Sequence, residues 1–297
     1  MRRRTILKKI IISFILVFIF TLPIAAQEYP ITITEQGYIF MEVTLVGNVK
    51  ANFMLDTGGG GVFLSGKTFE KIKNQTASAG LFTGFRHDGE RLDGEVFTIP
   101  SIAIGDISQT NIISGVYPPL DEYGIEGLVG LKFFENTPFT IDFKNKILRF
   151  ENSQSLQKLE SANKSIPISF ATLPDFTIDM FIPICINGKT KIRAEFDTGS
   201  GYNLLLINPF YIEKLELDTS GVTPIDHITP ITKKKLIDYQ FSLESVELCE
   251  SEMSSGLENA TATFREDLIY EGLIGCGMFK DKALTIDIPH KRIFVQN

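Results

Sequence analysis

The chain has 297 residues, 43% of them hydrophobic, and a net charge of −7 carried by scattered side chains. It is long enough for two ordinary domains with buried cores, and it has no basic patch of the size that nucleic-acid binding needs, which excludes nucleic acid as a partner. His87, His227 and His290 lie far apart in polar stretches, and Cys185, Cys249 and Cys276 follow no metal-ligand spacing, so neither a metal nor a cofactor is expected.

Residues 1–26 read as a targeting segment. Arg2, Arg3, Arg4, Lys8 and Lys9 precede an apolar run from Ile10 to Leu22, and Pro23-Ile24-Ala25-Ala26 follows. The run is shorter than the roughly 20 residues of a comfortable membrane span. Cleavage after Ala26 or retention as an N-terminal membrane anchor both fit, and either implies an exported protein: periplasmic, secreted, or anchored facing outside the cytoplasm. Arg3-Arg4 loosely matches a twin-arginine signal, but so apolar a run favours the general secretion route.

The remainder is written twice. Val43 to Gly58 holds two alternating apolar runs joined by Gly47-Asn48 and ends in Asp56-Thr57-Gly58; Pro183 to Gly199 repeats this with Asn187-Gly188 and Asp197-Thr198-Gly199. Asn/Gly between alternating runs is a β-hairpin signal. Short helices are expected at Gly66 to Asn74 and Pro209 to Leu217. Further on, Gly127-Leu128-Val129-Gly130 is matched by Gly272-Leu273-Ile274-Gly275, each followed by phenylalanine, and Thr140 to Phe143 is matched by Thr285 to Ile288. Residues 27–151 and 166–297 therefore form two related lobes, rich in short β-type runs. The polar, Ser/Asn/Lys-rich stretch 152–165 has the composition of an exposed linker.

Paired Asp-Thr-Gly loops, each with a downstream apolar-apolar-Gly strand and an Ile-Asp strand, resemble the retropepsin and pepsin-like aspartic peptidases, bacterial members of retropepsin type in particular. The resemblance implies an all-β fold, mainly strand with short helices, in which two lobes flank one active site. It implies catalytic roles for Asp56 and Asp197, and support of the active-site loops by Thr57, Gly58, Gly59, Thr198, Gly199 and Ser200. It further implies an aspartic-type endopeptidase that hydrolyses polypeptides in an interlobe cleft, as a monomer holding both aspartates in one chain. Two carboxyls in hydrogen-bonding distance cannot both ionise cheaply, so they share a proton; the charged member activates water and the protonated one donates to the carbonyl. A catalytically inactive peptide-binding protein of the same fold is the alternative. A flap over the site is expected within Leu81 to Thr98, with turns at Asp88-Gly89 and Asp93-Gly94.

Position 59 is Gly where a hydroxyl or alanine is usual in that family, so Asp56 lacks the donor that Ser200 offers Asp197, and Gly59-Gly60-Gly61 is expected to be loose. Gly61 to Thr68 formally fits a phosphate-binding loop, but Val62, Phe63 and Leu64 suit a buried strand and the pattern is missing from the second copy. Asp142 and Asp287 are expected to be structural, Lys233-Lys234-Lys235 a solvated turn, and Glu195 solvated on the face opposite Asp197. Buried thiols are favoured over a disulfide.

Overall fold

The computed structural model describes residues 26–251 and 255–297; the targeting segment expected over 1–26 lies outside them except for Ala26. Among the described residues no helix is long and apolar enough to cross a membrane.

Each lobe is built on one eight-stranded sheet, and the two sheets have the same order. In lobe one it runs Thr32–Ile33, Ile39–Leu45, Val49–Leu55, Gly127–Val129, Val62–Leu64, Ile107–Val116, Arg91–Ile104, Ala77–Phe85. In lobe two it runs Ser169–Leu173, Thr177–Ile186, Thr190–Phe196, Gly272–Ile274, Leu205–Ile207, Gly256–Arg265, Lys235–Leu248, Ile225–Ile228. A further pairing, Leu45 with Ile102 in one lobe and Ile184 with Leu248 in the other, curls each sheet back on itself.

The local code is plain in the first hairpin. Ile39, Met41, Val43 and Leu45 are buried, while the residues between them are not, which is the period of a strand with one face on a core. Gly47 and Asn48, and in the repeat Asn187 and Gly188, take the positive φ angles of a tight hairpin turn. After each Asp-Thr-Gly loop the apolar run is a strand, Val62–Leu64 and Leu205–Ile207. The helix that follows Val62–Leu64 spans Gly66–Ile72 and is capped by Ser65, which accepts from the Thr68 amide. Its counterpart is only Tyr211–Lys214, shorter than expected, because Glu216 turns to positive φ two residues later.

A third, six-stranded sheet joins the lobes. Its centre pairs Phe139–Asp142 with Ala283–Asp287, the matched Ile-Asp strands of the two copies. Thr140 faces Thr285 there at 2.7 Å between hydroxyl oxygens, close to the pseudo-twofold axis. Asp142 and Asp287 end these strands: Asp142 accepts from the Asn145 backbone and side chain, and Asp287 is fully buried against His290 and Arg292.

Two local features differ from expectation. Within 152–165 lies a helix, Ser153–Ala162, started by a capping box in which Asn152 and Ser155 satisfy each other's backbone amides. Cys185 and Cys249, expected as thiols, form a disulfide, and Cys276 is free and buried. The reason lies in register: Cys185 sits opposite Glu247 on the strand pairing that closes the lobe-two sheet, which brings Cys249 within 5.3 Å between Cα atoms across 64 residues of sequence. A cross-link closing a loop of that size stabilises by about 2–4 kcal/mol. The Cys185→Ser/Cys249→Ser protein is accordingly expected to unfold at a clearly lower urea midpoint with an unchanged final folded spectrum; an unchanged midpoint would show that the bond contributes nothing.

Candidate active site

Each Asp-Thr-Gly loop leaves the end of a strand flanked by its brace. Val49–Leu55 runs parallel to Gly127–Val129, and the Asp56 amide donates to the Val129 carbonyl at 3.0 Å. Thr190–Phe196 runs parallel to Gly272–Ile274, and the Asp197 amide donates to Ile274 at 2.9 Å. The glycines that close the braces also hold the loops: the Gly130 amide donates to the Gly61 carbonyl and the Gly275 amide to the Leu204 carbonyl.

Between the loops the two threonines exchange a reciprocal set of bonds. The Thr57 hydroxyl donates to the Phe196 carbonyl at 2.5 Å and accepts from the Thr198 amide at 3.0 Å. The Thr198 hydroxyl donates to the Leu55 carbonyl at 2.7 Å and accepts from the Thr57 amide at 3.1 Å. Both threonines are completely buried. Each hydroxyl thus satisfies one acceptor and one donor of the other lobe, at the spot where both strands end and their backbones would otherwise lack partners.

Asp56 and Asp197 are thereby set face to face, with their carboxyls in hydrogen-bonding contact. Gly58 and Gly199 are needed for that approach: a Cβ on Gly58 would lie 2.5 Å from the Asp197 carboxyl carbon, and one on Gly199 would lie 2.5 Å from an Asp56 oxygen. Asp56 accepts from the Gly59 amide at 2.8 Å. Asp197 accepts from the Gly199 amide at 2.8 Å and from the Ser200 hydroxyl. Burial first, and the Asp197 charge second, hold the Asp56 carboxyl well above the usual carboxylate range.

Known proteins share this fold. Residues 41–133 match the family model described as aspartyl protease. Among solved structures, the chain is similar to EDGP (TM-score 0.52, 10% identity, covering 91% of this chain and 94% of that one). It is also similar to the basic 7S globulin of soybean (TM-score 0.51, 9% identity, 92% and 95% covered). None of the curated proteins matches the chain. The chain has the bilobal fold of the pepsin-like aspartic peptidases.

Within that fold, three expectations about the site need correction. The Gly59-Gly60-Gly61 stretch is not loose: it packs against the start of a lobe-two strand, where a Cβ on Gly60 would lie 2.4 Å from an Asp179 oxygen and one on Gly61 would lie 2.8 Å from the Phe176 carbonyl. Glu195 is not solvated but 2% exposed, and it shares a face with Asp197, because strand residues two apart point the same way. Burial, then the charges of Asp197, Asp179 and Asp56, push its carboxyl well above the ordinary glutamate range, against a hydrogen bond with Tyr270. The third concerns the flap. Ala77–Phe85 and Arg91–Ile104 form one long hairpin that turns once, at 86–90; Asp93-Gly94 continues the strand, and Gly94 leaves room for the Phe82 ring beside it.

That hairpin crosses to lobe two. Its tip meets the equivalent hairpin, Ile225–Ile228 with Lys235–Leu248, whose turn holds Lys233 and Lys234 and whose second strand starts at Lys235. The Glu90 side chain, 1% exposed, accepts from the amides of Ile231 and Thr232 and from the Thr232 hydroxyl at 2.8 Å. The Ile269 amide donates to the His87 carbonyl at 3.0 Å. Arg265, held by Asp238 at 2.7 and 2.9 Å, reaches the His87 ring at 3.3 Å. Burial, opposed by Asp88 and reinforced by Arg86 and Arg265, lowers the His87 pKa, so the neutral ring is the form that accepts from the guanidinium.

Glu90 is therefore a latch between the two hairpins. Burial alone would raise its pKa, but the bonds from Thr232, Thr229 and Ile231 outweigh it and bring the carboxyl below its ordinary value. With a depressed folded pKa, the carboxylate stabilises the latch above the ordinary glutamate range and loses that contribution only as pH falls through the lower folded value. Glu90→Ala should release it at any pH, leaving the Ile231 and Thr232 amides without their acceptor. Hydrogen exchange at 86–90 and 229–232 is expected to quicken by at least about tenfold, with exchange in Gly127–Val129 unchanged. Unchanged exchange at both tips would show that the hairpins are held by something else.

Proposed function

We propose that this chain is an aspartic-type endopeptidase. The observation that carries the reading is the pair of carboxyls, Asp56 and Asp197, held in contact by loops from opposite lobes, one of them kept above the ordinary carboxylate range. A pair so placed shares a single proton.

The asymmetry of donors suggests where that proton sits. Asp197 receives a hydroxyl and an amide, whereas Asp56 has no hydroxyl at Gly59, so the anion is better held on Asp197 and the proton on Asp56. Asp197 then draws a proton from a water lying between the two carboxyls, and the oxygen attacks the peptide carbonyl while Asp56 donates to the carbonyl oxygen. Collapse of the tetrahedral species gives its proton to the leaving amine, and the pair returns to one shared proton. The substrate is a polypeptide lying between the lobes beneath the two hairpins, and one chain supplies both carboxyls. The hairpins have to part for it to enter.

Export belongs to the same reading. The basic and apolar order of residues 1–26 supports it, and a Cys185–Cys249 disulfide suits an oxidising compartment. N-terminal sequencing of protein from fractionated cells checks this: a start near Gln27 outside the cytoplasm, or an intact N-terminus in a membrane fraction, fits export, and cytosolic protein would refute it.

The central test is substitution at the pair. Asp56→Asn and Asp197→Asn are each expected to abolish cleavage of a peptide library, with the double variant scarcely worse than either, because the two carboxyls act as one unit. Melting temperatures should hold or rise, since asparagine keeps the shape and removes the requirement that one buried carboxyl stay protonated. Asp287→Asn is the control: it uncouples the buried carboxylate from His290 and Arg292 and should lower the melting temperature while cleavage at permissive temperature persists. Retained turnover in Asp56→Asn would sink the shared-proton mechanism, and folded wild-type protein that binds peptides without cutting them would make the chain a binding protein of this fold.

The pH profile follows from the raised Asp56. Its proton is kept further up the scale than a free carboxyl would keep it, so cleavage should peak at a higher pH than an unperturbed carboxyl pair would give and fall on both sides. A rate that rises continuously to pH 9 would be incompatible with the pair.

A further inference from the structure

The internal duplication allows the two halves of the cleft to be compared residue by residue. Met54 stands two residues before Asp56, paired with Phe40 on one side and Leu128 on the other. Glu195 stands two residues before Asp197, paired with Phe181 and Leu273 in the same two directions. The two positions are equivalent, and period-two alternation turns both side chains to the face that carries the aspartates.

Their surroundings are opposite in character. Met54 clusters with Leu120 and Leu128, and Phe40, Phe63, Tyr117 and Ile125 pack around that group. The Phe82 ring of the lobe-one hairpin covers the same side, 6.1 Å from Phe63. These residues make this half of the cleft largely apolar and uncharged, with the Tyr117 hydroxyl the polar group among them. In the other half Glu195 is held by Tyr270, whose ring stands edge-on to Phe181 at 5.2 Å.

Asp179 adds a second carboxyl on the same face. It lies two residues before Phe181, equivalent to Tyr38 in lobe one, and an oxygen of it occupies the space that a Cβ on Gly60 would need. Among the described residues none donates a hydrogen bond to it, and burial raises it to about 6. The guanidinium of Arg193 lies further along this face, exposed, engaged over Phe181 at 5.6 Å and with Glu271 at 3.9 Å.

We propose that Glu195, together with Asp179, makes the lobe-two side of the cleft select a cationic side chain, so that the bond cut is flanked by one apolar residue and one lysine or arginine. The proposal rests on the peptidase reading and adds to it the class of substrate. An empty cleft holds these carboxyls in a low-dielectric setting where ionisation is unfavourable. An entering ammonium or guanidinium reverses that balance: the carboxyls give up their protons to solvent, and the cation gains charge-assisted hydrogen bonds that an apolar side chain leaves unmade. A neutral apolar residue would instead bury the carboxyls further without compensation, which adds rejection to attraction. On the lobe-one side the same logic rejects charge, because Met54 and its neighbours offer no charged partner.

Mass-spectrometric mapping of cut sites in a proteome-derived peptide library tests this with wild-type protein, Glu195→Gln, Glu195→Met and Asp179→Asn. Wild-type cut sites should be enriched at least about tenfold for Lys or Arg at one of the two flanking positions and for apolar residues at the other. Glu195→Met, which copies the lobe-one residue, should shift the basic position to apolar residues. Glu195→Gln, nearly isosteric and able to keep the Tyr270 bond, should lose most of the basic preference without a change of fold, and Asp179→Asn should weaken it. The preference is overturned if wild-type protein cuts between two apolar residues, or if the basic preference survives in both Glu195 variants.

If no variant cleaves anything, the peptidase reading fails separately, and binding then decides the proposal. Fluorescence anisotropy with Asp56→Asn protein should show at least about tenfold tighter binding of a peptide carrying Lys than of its norleucine counterpart. Adding Glu195→Gln should erase the difference. Equal affinity for both peptides would overturn the selection of a cation.

Discussion

The reciprocal bonds of Thr57 and Thr198 are the constraint on which the site depends. Two strands from different lobes end within bonding distance of each other, and each would leave a carbonyl and an amide without a partner in a dry interface. An unsatisfied buried group costs roughly 1–3 kcal/mol, so four of them at one point could not persist. A hydroxyl on each loop, acting as donor and acceptor at once, satisfies all four and fixes the distance between the loops. Everything nearer the cleft follows from that distance: the need for glycine at 58 and 199, the contact of the carboxyls, and the proton they share.

On this symmetric frame the chemistry is made asymmetric one side chain at a time. Gly59 withholds from Asp56 the hydroxyl that Ser200 gives Asp197, so the two carboxyls have unequal donors. Glu195 stands where Met54 stands, and Asp179 where Tyr38 stands, so the two walls of the cleft differ in polarity although their backbones match. None of these changes disturbs the threonine bonds or the brace strands. Duplication supplies the geometry, and substitutions outside the grip can vary acidity and selectivity without loosening it.

How far the sequence could be read follows the range of the interactions. The hairpin turns, the strand after each Asp-Thr-Gly, the brace strands and the central Ile-Asp strands are encoded by residues a few positions apart, and the repeat doubled every signal. The position of Glu195 was within reach, since two residues along a strand return to the same face; its charge suggested solvent, and the alternation rule outweighs that. The Cys185–Cys249 bond and the Glu90 latch were out of reach. Both join residues far apart in sequence, 64 positions in one case and 141 and 142 in the other, through registers that only the assembled sheets define. The tight packing of Gly59 to Gly61 was hidden for the same reason, because its partners Phe176 to Asp179 belong to the other lobe.

The latch and the pair also set each other's working range. Glu90 is stabilised as an anion by amides and hydroxyls, whereas Asp56 is destabilised as an anion by burial and its neighbour, so their proton affinities move in opposite directions from similar starting values. Between the two lies a window in which the hairpins are still joined and the pair already holds its proton. On the peptidase reading, that window leaves the cleft covered, and a peptide entering it would have to displace main-chain bonds at the hairpin tips. The free energy for that displacement has to come from contacts that the substrate makes on both walls. If the walls select as proposed, a chain segment satisfying only the apolar wall, or only the acidic one, would recover less of it, and the covering hairpins would sharpen that selection.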